Sequence, residues 1–243
     1  MTSRIAYNLE RTTDPTEEPI DKSSAKLQCH IEAAETFFDN WFDGDAAVDA
    51  AGAIPAARFL VEQDAQVALM PQTWQLRLDN WPIGKAYETS HWDVGARHMM
   101  DTRYMIGDDW IDLLIHPVQS VTVAYEDTND ATQTWAASNY ELQVSKYRSI
   151  LMKTDKDVDF PTLSTSDPRP ITITITAGYS NTTDQATTVL RRAKVPPSAK
   201  MAMLMLIAHW FRNKESVLVG SISKEIEQGY KSLIRTIRPE RYA

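Results

Sequence analysis

The spacing of apolar residues changes twice along the chain, and this change restricts the possible folds more than any other sequence feature. Before Pro71 and after Val195, apolar side chains recur every three or four residues, which is typical of helices packed against a core. Between these points they alternate with polar residues, as Ile171, Ile173 and Ile175 alternate with threonines. The order favours an α+β fold, a small helical bundle with an inserted antiparallel β domain, over alternating βαβ units.

The same pattern sets the predicted boundaries. The first residues are polar, acidic and interrupted by Pro15 and Pro19, so they are predicted to lack a buried face. A first helix is predicted to run from Ser23 or Ser24, as its cap, to about Phe42. The chain is therefore divided into a flexible arm at 1–22, N-terminal bundle helices at 23–70, a β domain of about six strands at 71–180, and C-terminal bundle helices with a tail at 190–243.

The most apolar stretch is KMAMLMLIAHWFRNK, residues 200–214. It is shorter than the roughly 20 apolar residues that cross a bilayer, so a helix buried on nearly every side is predicted instead. Its Trp210 and Phe211, together with Trp74 of the first predicted strand, are expected to anchor the core. The N-terminus lacks the apolar segment of a signal peptide, which predicts a protein that is made in a cytoplasm and has no membrane contact.

Charge is distributed unevenly along the chain, whose net charge is −8. Residues 1–64 contain five Lys or Arg against 13 Asp or Glu, whereas residues 191–243 contain 11 against four. Such asymmetry favours contact with a charged partner or with another copy of the chain. The alternative is that the fold pairs its own two ends, and the sequence leaves both interpretations open.

The residues that could bind a metal ion are few. A carboxylate–imidazole site is chemically possible only around His91 and His98, with Asp93 and Asp101 nearby. Histidines scattered through a polar loop explain this segment better. The single cysteine leaves no multi-cysteine site, so no metal and no cofactor is predicted.

Catalytic groups are equally sparse. Cys29 and His30 are adjacent on a predicted helix, where neighbouring side chains point in different directions, so they are not expected to form a dyad. Asp108 and Asp109 could serve glycoside hydrolysis, but chance acidic pairs are expected among 33 carboxylates. No convergent catalytic set is found, and the sequence predicts a binding or structural protein rather than an enzyme.

Several short motifs, in this order, resemble those of one protein family. They are PQTWQLRLDNWP, HPVQSVTVAYEDTNDATQTW, NYEL, TITAGYS, VPPSAKMAMLMLIAHWFRNKESVLVG and GYKSLIRTIRP, and they cover about residues 55 to 243. The family is that of the head–tail connector, or adaptor, proteins of tailed bacteriophages, also found in gene transfer agents. Each motif alone is generic, but the ordered set is fairly specific.

The resemblance implies a virion protein of the neck, assembled in the host cytoplasm. It implies a ring, usually of twelve copies, that binds the portal on one side and the stopper, tail tube or nozzle on the other. Double-stranded DNA would pass through the ring without specific binding. The alternative function is a phage DNA-packaging or DNA-binding accessory protein, since the basic C-terminal residues could neutralise phosphates.

The resemblance also suggests contact residues. The family's C-terminal segment often reaches toward the portal, which makes Lys231, Arg235, Arg238 and Arg241 the expected portal contacts. The chain departs from the family by an extra loop at 83–110. Its aromatic residues Trp92, Tyr104 and Trp110 are expected to contact a neighbouring subunit or another virion protein.

Overall fold

The structure is a computed structural model that describes residues 7–45, 50–81, 106–107, 110–145, 148–155, 157–180, 187–213 and 224–239. Its elements, in chain order, are β1 (Tyr7–Thr13), α1 (Lys22–Gln28), α2 (Asp39–Asp43), β2 (Gly44–Asp45), β3 (Ala50–Ala51), α3 (Ala53–Ala65), β4 (Gln72–Leu78), β5 (Ile106–Gly107), β6 (Trp110–Asp112), β7 (Val118–Glu126), β8 (Thr132–Thr134), β9 (Tyr140–Val144), β10 (Ser149–Lys153), β11 (Ile171–Ala177), α4 (Thr188–Lys194), α5 (Pro197–Arg212) and α6 (Lys224–Ile237).

The chain forms two compact units. The first, called the β unit, contains the residues up to Asp14 and Gln72–Ala177. The second, called the helical unit, contains Pro15–Pro71 and Gly178–Pro239. The strand-rich middle of the sequence is therefore inserted between helical segments, and the fold is α+β as predicted.

Two antiparallel sheets make up the β unit, with strand orders β1-β4-β11-β7-β8 and β5-β6-β10-β9. At the centre of the first sheet, Ile173 of β11 lies between Leu76 of β4 and Val123 of β7, and all three are fully buried. Ile171 and Ile175 are buried on the same face, and Thr174 is exposed. The two-residue period predicted for this strand is confirmed.

The prediction of a flexible arm over residues 1–22 is wrong for the described part of that segment. Tyr7–Thr13 is the edge strand β1, which pairs antiparallel with β4, Leu9 lying opposite Leu76. Further along, Ile20 belongs to the buried core of the helical unit. The polar composition misled the prediction because an edge strand needs only one hydrogen-bonding neighbour and can leave its other side in water.

The single helix predicted from Ser23 or Ser24 to Phe42 is also wrong. Asp21 caps α1 by accepting a hydrogen bond from the Ser24 amide at 2.6 Å, and α1 ends at Gln28. His30 has φ 59°, a left-handed conformation that stops a helix. A loop follows until α2 begins at Asp39.

Apolar faces of α1, α2, α3, α5 and α6 enclose the core of the helical unit. Ile234 and Ile237 of α6 are buried, and Tyr230 and Leu233 pack against the same core, so the three- and four-residue spacing predicted after Val195 is confirmed on this helix. The prediction that α5 is buried on nearly every side is wrong, because Met201 is half exposed. Small residues such as Ala199 and Ala202 face the core instead and let neighbouring helices approach closely.

Candidate interaction surfaces

The acidic and basic ends of the chain meet inside the helical unit. Glu17 binds the guanidinium of Arg191 through both carboxylate oxygens, one of them 2.7 Å from Arg191 Nε. This pairing, with smaller help from Thr188, lowers the pKa of Glu17 to about 2. Arg192 Nε donates to the Glu18 carbonyl oxygen at 2.8 Å. The internal pairing that the sequence left open therefore takes up part of the charge at both ends.

A buried ion cluster supports these contacts. Arg58 of α3 donates from Nε to Glu18 at 2.9 Å and from Nη1 to Glu62 at 3.0 Å. The second oxygen of Glu62 accepts the backbone amide of Leu69 at 2.8 Å. Arg58 and Glu62 are almost fully shielded from solvent, and burial raises the pKa of Glu18. The cluster therefore has a structural role rather than the properties of a binding site.

Basic side chains remain exposed on α6. Lys231, Arg235 and Arg238 all lie on the solvent side, and Lys231 forms an ion pair with Glu227 one turn earlier. The fourth predicted portal contact, Arg241, lies outside the described residues. The opposite face of α6 is fixed by its apolar stripe and by Tyr230, whose hydroxyl donates to Asp64 of α3 at 2.8 Å. The packing of this helix therefore fixes its orientation and leaves its basic side chains exposed to solvent.

The helical unit also exposes large apolar side chains. They are Leu27, Phe37, Phe59, Val189, Leu190 and Met201. Single exposed apolar residues are ordinary, whereas neighbouring ones, such as Val189 and Leu190 on α4, are candidates for a surface that another protein covers. The sequence missed these residues because it predicted α5 as wholly buried and residues 23–42 as one helix.

The predicted core anchors and the aromatic residues of the predicted loop lie in different environments. Trp92 and Tyr104 lie outside the described residues, whereas Trp110 begins β6 and is half buried, with the Arg148 guanidinium 4.8 Å from its ring centre. Trp74 on β4 is half buried. Trp210 and Phe211 pack against the helical core but neither is fully buried.

Phe211 is held by other aromatic rings. Its ring centre lies 5.4 Å from that of Phe38 and 5.2 Å from that of Trp41. Both contacts are edge-to-face, the arrangement that aromatic quadrupoles favour. The ring therefore connects the end of α5 to the start of α2.

One group of side chains has the composition of a hydrolase triad. In the β unit, Ser149 Oγ lies 3.1 Å from His116 Nδ1, and Asp112 is close along the chain. All three are buried, Ser149 Oγ also accepts the Val118 amide, and Asp112 accepts the Leu114 amide. These groups serve the backbone around β6, β7 and β10. The sequence could not reveal the pairing, because Ser149 and His116 are 33 residues apart.

The catalytic and metal-binding candidates from the sequence are not assembled in the described part. Cys29 is buried and His30 exposed, so they do not form a dyad, and burial raises the pKa of the Cys29 thiol. His91, His98, Asp93, Asp101, Asp108 and Asp109 lie outside the described residues. Among the residues described, no group of three or more His, Cys, Asp or Glu side chains could hold a metal ion. Of the helices described, none is long and apolar enough to cross a membrane.

The fold is similar to that of chains in three solved structures of gene transfer agent (GTA) particles. One is the neck of an empty GTA particle computed with C6 symmetry, with TM-score 0.64, 16% identity and 97% of each chain covered. Another is the virion of a native GTA particle, with TM-score 0.61, 17% identity and 97% of each chain covered.

The third is the neck of a native GTA particle computed with C12 symmetry, with TM-score 0.57, 16% identity, and 96% of this chain and 97% of that chain covered. No protein-family model and no curated protein matches the sequence. At these identities the likeness shows a shared fold that extends over nearly the whole chain.

Proposed function

We propose that the chain is a structural subunit of the neck of a phage-like particle. Its specific role is a head–tail adaptor, which forms a twelve-subunit ring under the portal and joins the DNA-filled capsid to the stopper or tail. The observation that carries the proposal is the likeness over 97% of both chains to a GTA neck structure. Because the likeness includes the β unit and the helical unit, it is more specific than a likeness to one common domain.

The surface of the helical unit supports an assembled state. A closed ring needs heterologous contacts, in which one surface of each subunit fits a different surface of the next. Exposed apolar side chains such as Phe37 and Val189 are available for such contacts. In the β unit, the groups that could perform hydrolysis are used to hold backbone, which fits a structural role better than a catalytic one.

For the portal-facing surface we propose the basic face of α6. Arg235 and Arg238 are exposed, and Arg241 follows them in sequence. Lys231 already pairs with Glu227, so the two arginines should contribute more of the attraction than Lys231. Arginine forms bidentate bonds with carboxylates, which suits an acidic surface on the portal.

Imaging of the full chain mixed with the portal protein from the same genome tests this function. We expect negative-stain images of twelve-fold rings that cap the portal. Arg235→Glu with Arg238→Glu should abolish capping, whereas Arg212→Glu, a reversal at another exposed arginine of the helical unit, should leave it intact. A portal that stays bare at high excess of the chain would refute the adaptor role. Unchanged capping by the double variant would refute only the α6 assignment.

A DNA-packaging or DNA-binding accessory role is the second candidate, favoured by the same exposed arginines on α6. A protein that neutralises phosphates binds DNA with an affinity that falls steeply as salt rises. The adaptor role predicts no such binding by the isolated chain, whose pI is about 5.1. Binding to double-stranded DNA that weakens steeply between low and physiological salt, and is lost in Arg235→Glu with Arg238→Glu, would favour the second candidate.

A further inference from the structure

Two separate apolar surfaces of the helical unit carry opposite charge. The first, called the Phe37 surface, consists of Leu27, Glu32, Glu35 and Phe37. Phe37 is 83% exposed and Leu27 76% exposed, and both glutamates are exposed beside them. An aromatic ring this exposed loses much apolar contact with water when a partner covers it.

A buried lysine holds the Phe37 surface in place. Lys26 is only 2% exposed, and its Nζ lies 2.5 Å from Asp39 Oδ1 and donates to the backbone carbonyls of Ala33 and Glu35. The Phe37 ring also packs edge-to-face on Phe38, with ring centres 4.9 Å apart. The loop is therefore fixed before binding, which reduces the entropy lost when a partner docks.

The second surface, called the α4 surface, consists of Val189, Leu190, Ala193 and Lys194. All four are exposed, Val189 to 72%. Positions 189, 190, 193 and 194 share one side of a helix because residues four apart lie above one another. The other side of α4 is fixed by Arg191 and Arg192, which bind the segment at Glu17 and Glu18.

The two surfaces lie at opposite ends of α1. Arg192 of α4 binds the carbonyl of Glu18, just before the α1 cap at Asp21, and its charge lowers the pKa of Asp21 together with the stronger effect of the Ser24 amide. The Phe37 surface begins at the last turn of α1 and continues beyond it. Seven helical residues span about 10 Å, so the two surfaces are separated by about the length of α1.

We propose that neighbouring copies of the chain join through these surfaces, with the Phe37 surface of one copy docked on the α4 surface of the next. The inference rests on the proposed ring and names the surfaces that build it. Glu32 and Glu35 would face Lys194 across the contact, while Leu27 and Phe37 would cover Val189 and Leu190. The contact is heterologous, so it gives a ring with neither surface exposed when the rotation between successive copies closes.

Cross-linking of the portal-bound chain tests the contact. The variant with Glu32→Cys and Lys194→Cys is treated with a short bismaleimide and analysed by denaturing gel electrophoresis. Both sites are exposed, and the wild type controls for the buried Cys29. The matched control combines Glu32→Cys with Thr132→Cys on β8, an exposed position in the β unit. A second variant, Phe37→Ser, is compared with Phe59→Ser on α3.

We expect the double variant to give a ladder of covalent oligomers up to the ring size. A mixture of the two single variants should stop at dimers, and the matched control should give no ladder. Phe37→Ser should lose the ring while the folded chain remains, and Phe59→Ser should keep it.

Four outcomes would overturn the inference. Rings seen on the portal without a ladder would refute the contact and leave the proposed function intact. Cross-linked dimers from the Glu32→Cys variant alone would show a symmetric contact instead. Rings that persist in Phe37→Ser would show that this side chain does not form the contact between copies. Absence of any ring would refute the proposed function and the inference together, and imaging distinguishes that case.

Discussion

Removal of the Arg58 guanidinium should destabilise the helical unit strongly. In Arg58→Met the side chain keeps its apolar stem, but Glu18 and Glu62 lose the cation to which each is bonded. Glu62 is only 6% exposed, so water cannot replace the lost partner easily. Breaking a buried ion pair by removing one member costs about 3–5 kcal/mol, and we expect a loss of that size.

The pH dependence of this loss provides a second test. Burial already raises the pKa of Glu18 above its usual 4.5, and loss of the cation raises it further. A carboxyl whose folded-state pKa exceeds its unfolded value takes up a proton in the folded state first, so folding gains stability as pH falls toward that pKa. The deficit of Arg58→Met relative to the wild type should therefore shrink as pH falls from neutral toward the raised pKa of Glu18.

Urea denaturation followed by circular dichroism measures both effects. Lys231→Met is the matched control, because its partner Glu227 is exposed and such surface pairs contribute about 0.5 kcal/mol or less. A deficit below about 1 kcal/mol for Arg58→Met, with no pH dependence, would refute the conclusion that the cluster is desolvated and structurally required.

Three further predictions concern other parts of the chain. The wild type should have a higher urea midpoint than Glu17→Gln. This difference should be fully present above about pH 4.5 and should disappear as pH falls toward 2, because Arg191 lowers the pKa of Glu17. A difference that persists at pH 2 would contradict this. Ile173→Ala should cost about 2–5 kcal/mol in equilibrium unfolding, whereas Thr174→Ala on the exposed face should stay within about 0.5 kcal/mol, and equal costs would refute the assigned sheet face. Gly178→Ala should lower the thermal midpoint, because φ is 147° there and a Cβ would lie 2.8 Å from the Met70 carbonyl carbon; an unchanged midpoint would contradict that geometry.

Periodicity in the sequence predicted the parts of the fold that local packing determines. The alternation of Ile171, Ile173 and Ile175 gave the strand face, and the stripe on α6 gave the buried side of that helix. Both patterns arise because side chains recur on the same face of a strand or helix at a fixed spacing, and that one face packs against the core. The predicted α+β class therefore agrees with the structure.

The remaining features depend on residues that are distant in sequence. β1 exists as a strand because β4, more than 60 residues later, supplies its hydrogen bonds. The helix predicted after Ser23 stops at Gln28, because His30 adopts a left-handed conformation and the Lys26 amine binds the carbonyls of the loop that follows. Periodicity alone does not contain such long-range or single-residue effects.

The interaction surfaces were only partly predictable. The exposed arginines of α6 follow from the apolar stripe on its opposite side, which the sequence shows directly. The Phe37 surface does not, because the sequence predicted one continuous helix from Ser23 or Ser24 to about Phe42 and therefore no loop at these residues. Phe37 is exposed on the loop that follows the end of α1 at Gln28 and precedes α2 at Asp39.

The proposed function requires that this chain forms a ring in the neck of a particle. Cryo-electron microscopy of purified particles from the genome that encodes the chain would show such a ring. We expect twelve copies between the portal vertex and the tail, with the helical units in contact with one another. A resolved neck that lacks this chain, or density for the chain elsewhere in the particle, would refute the proposed function.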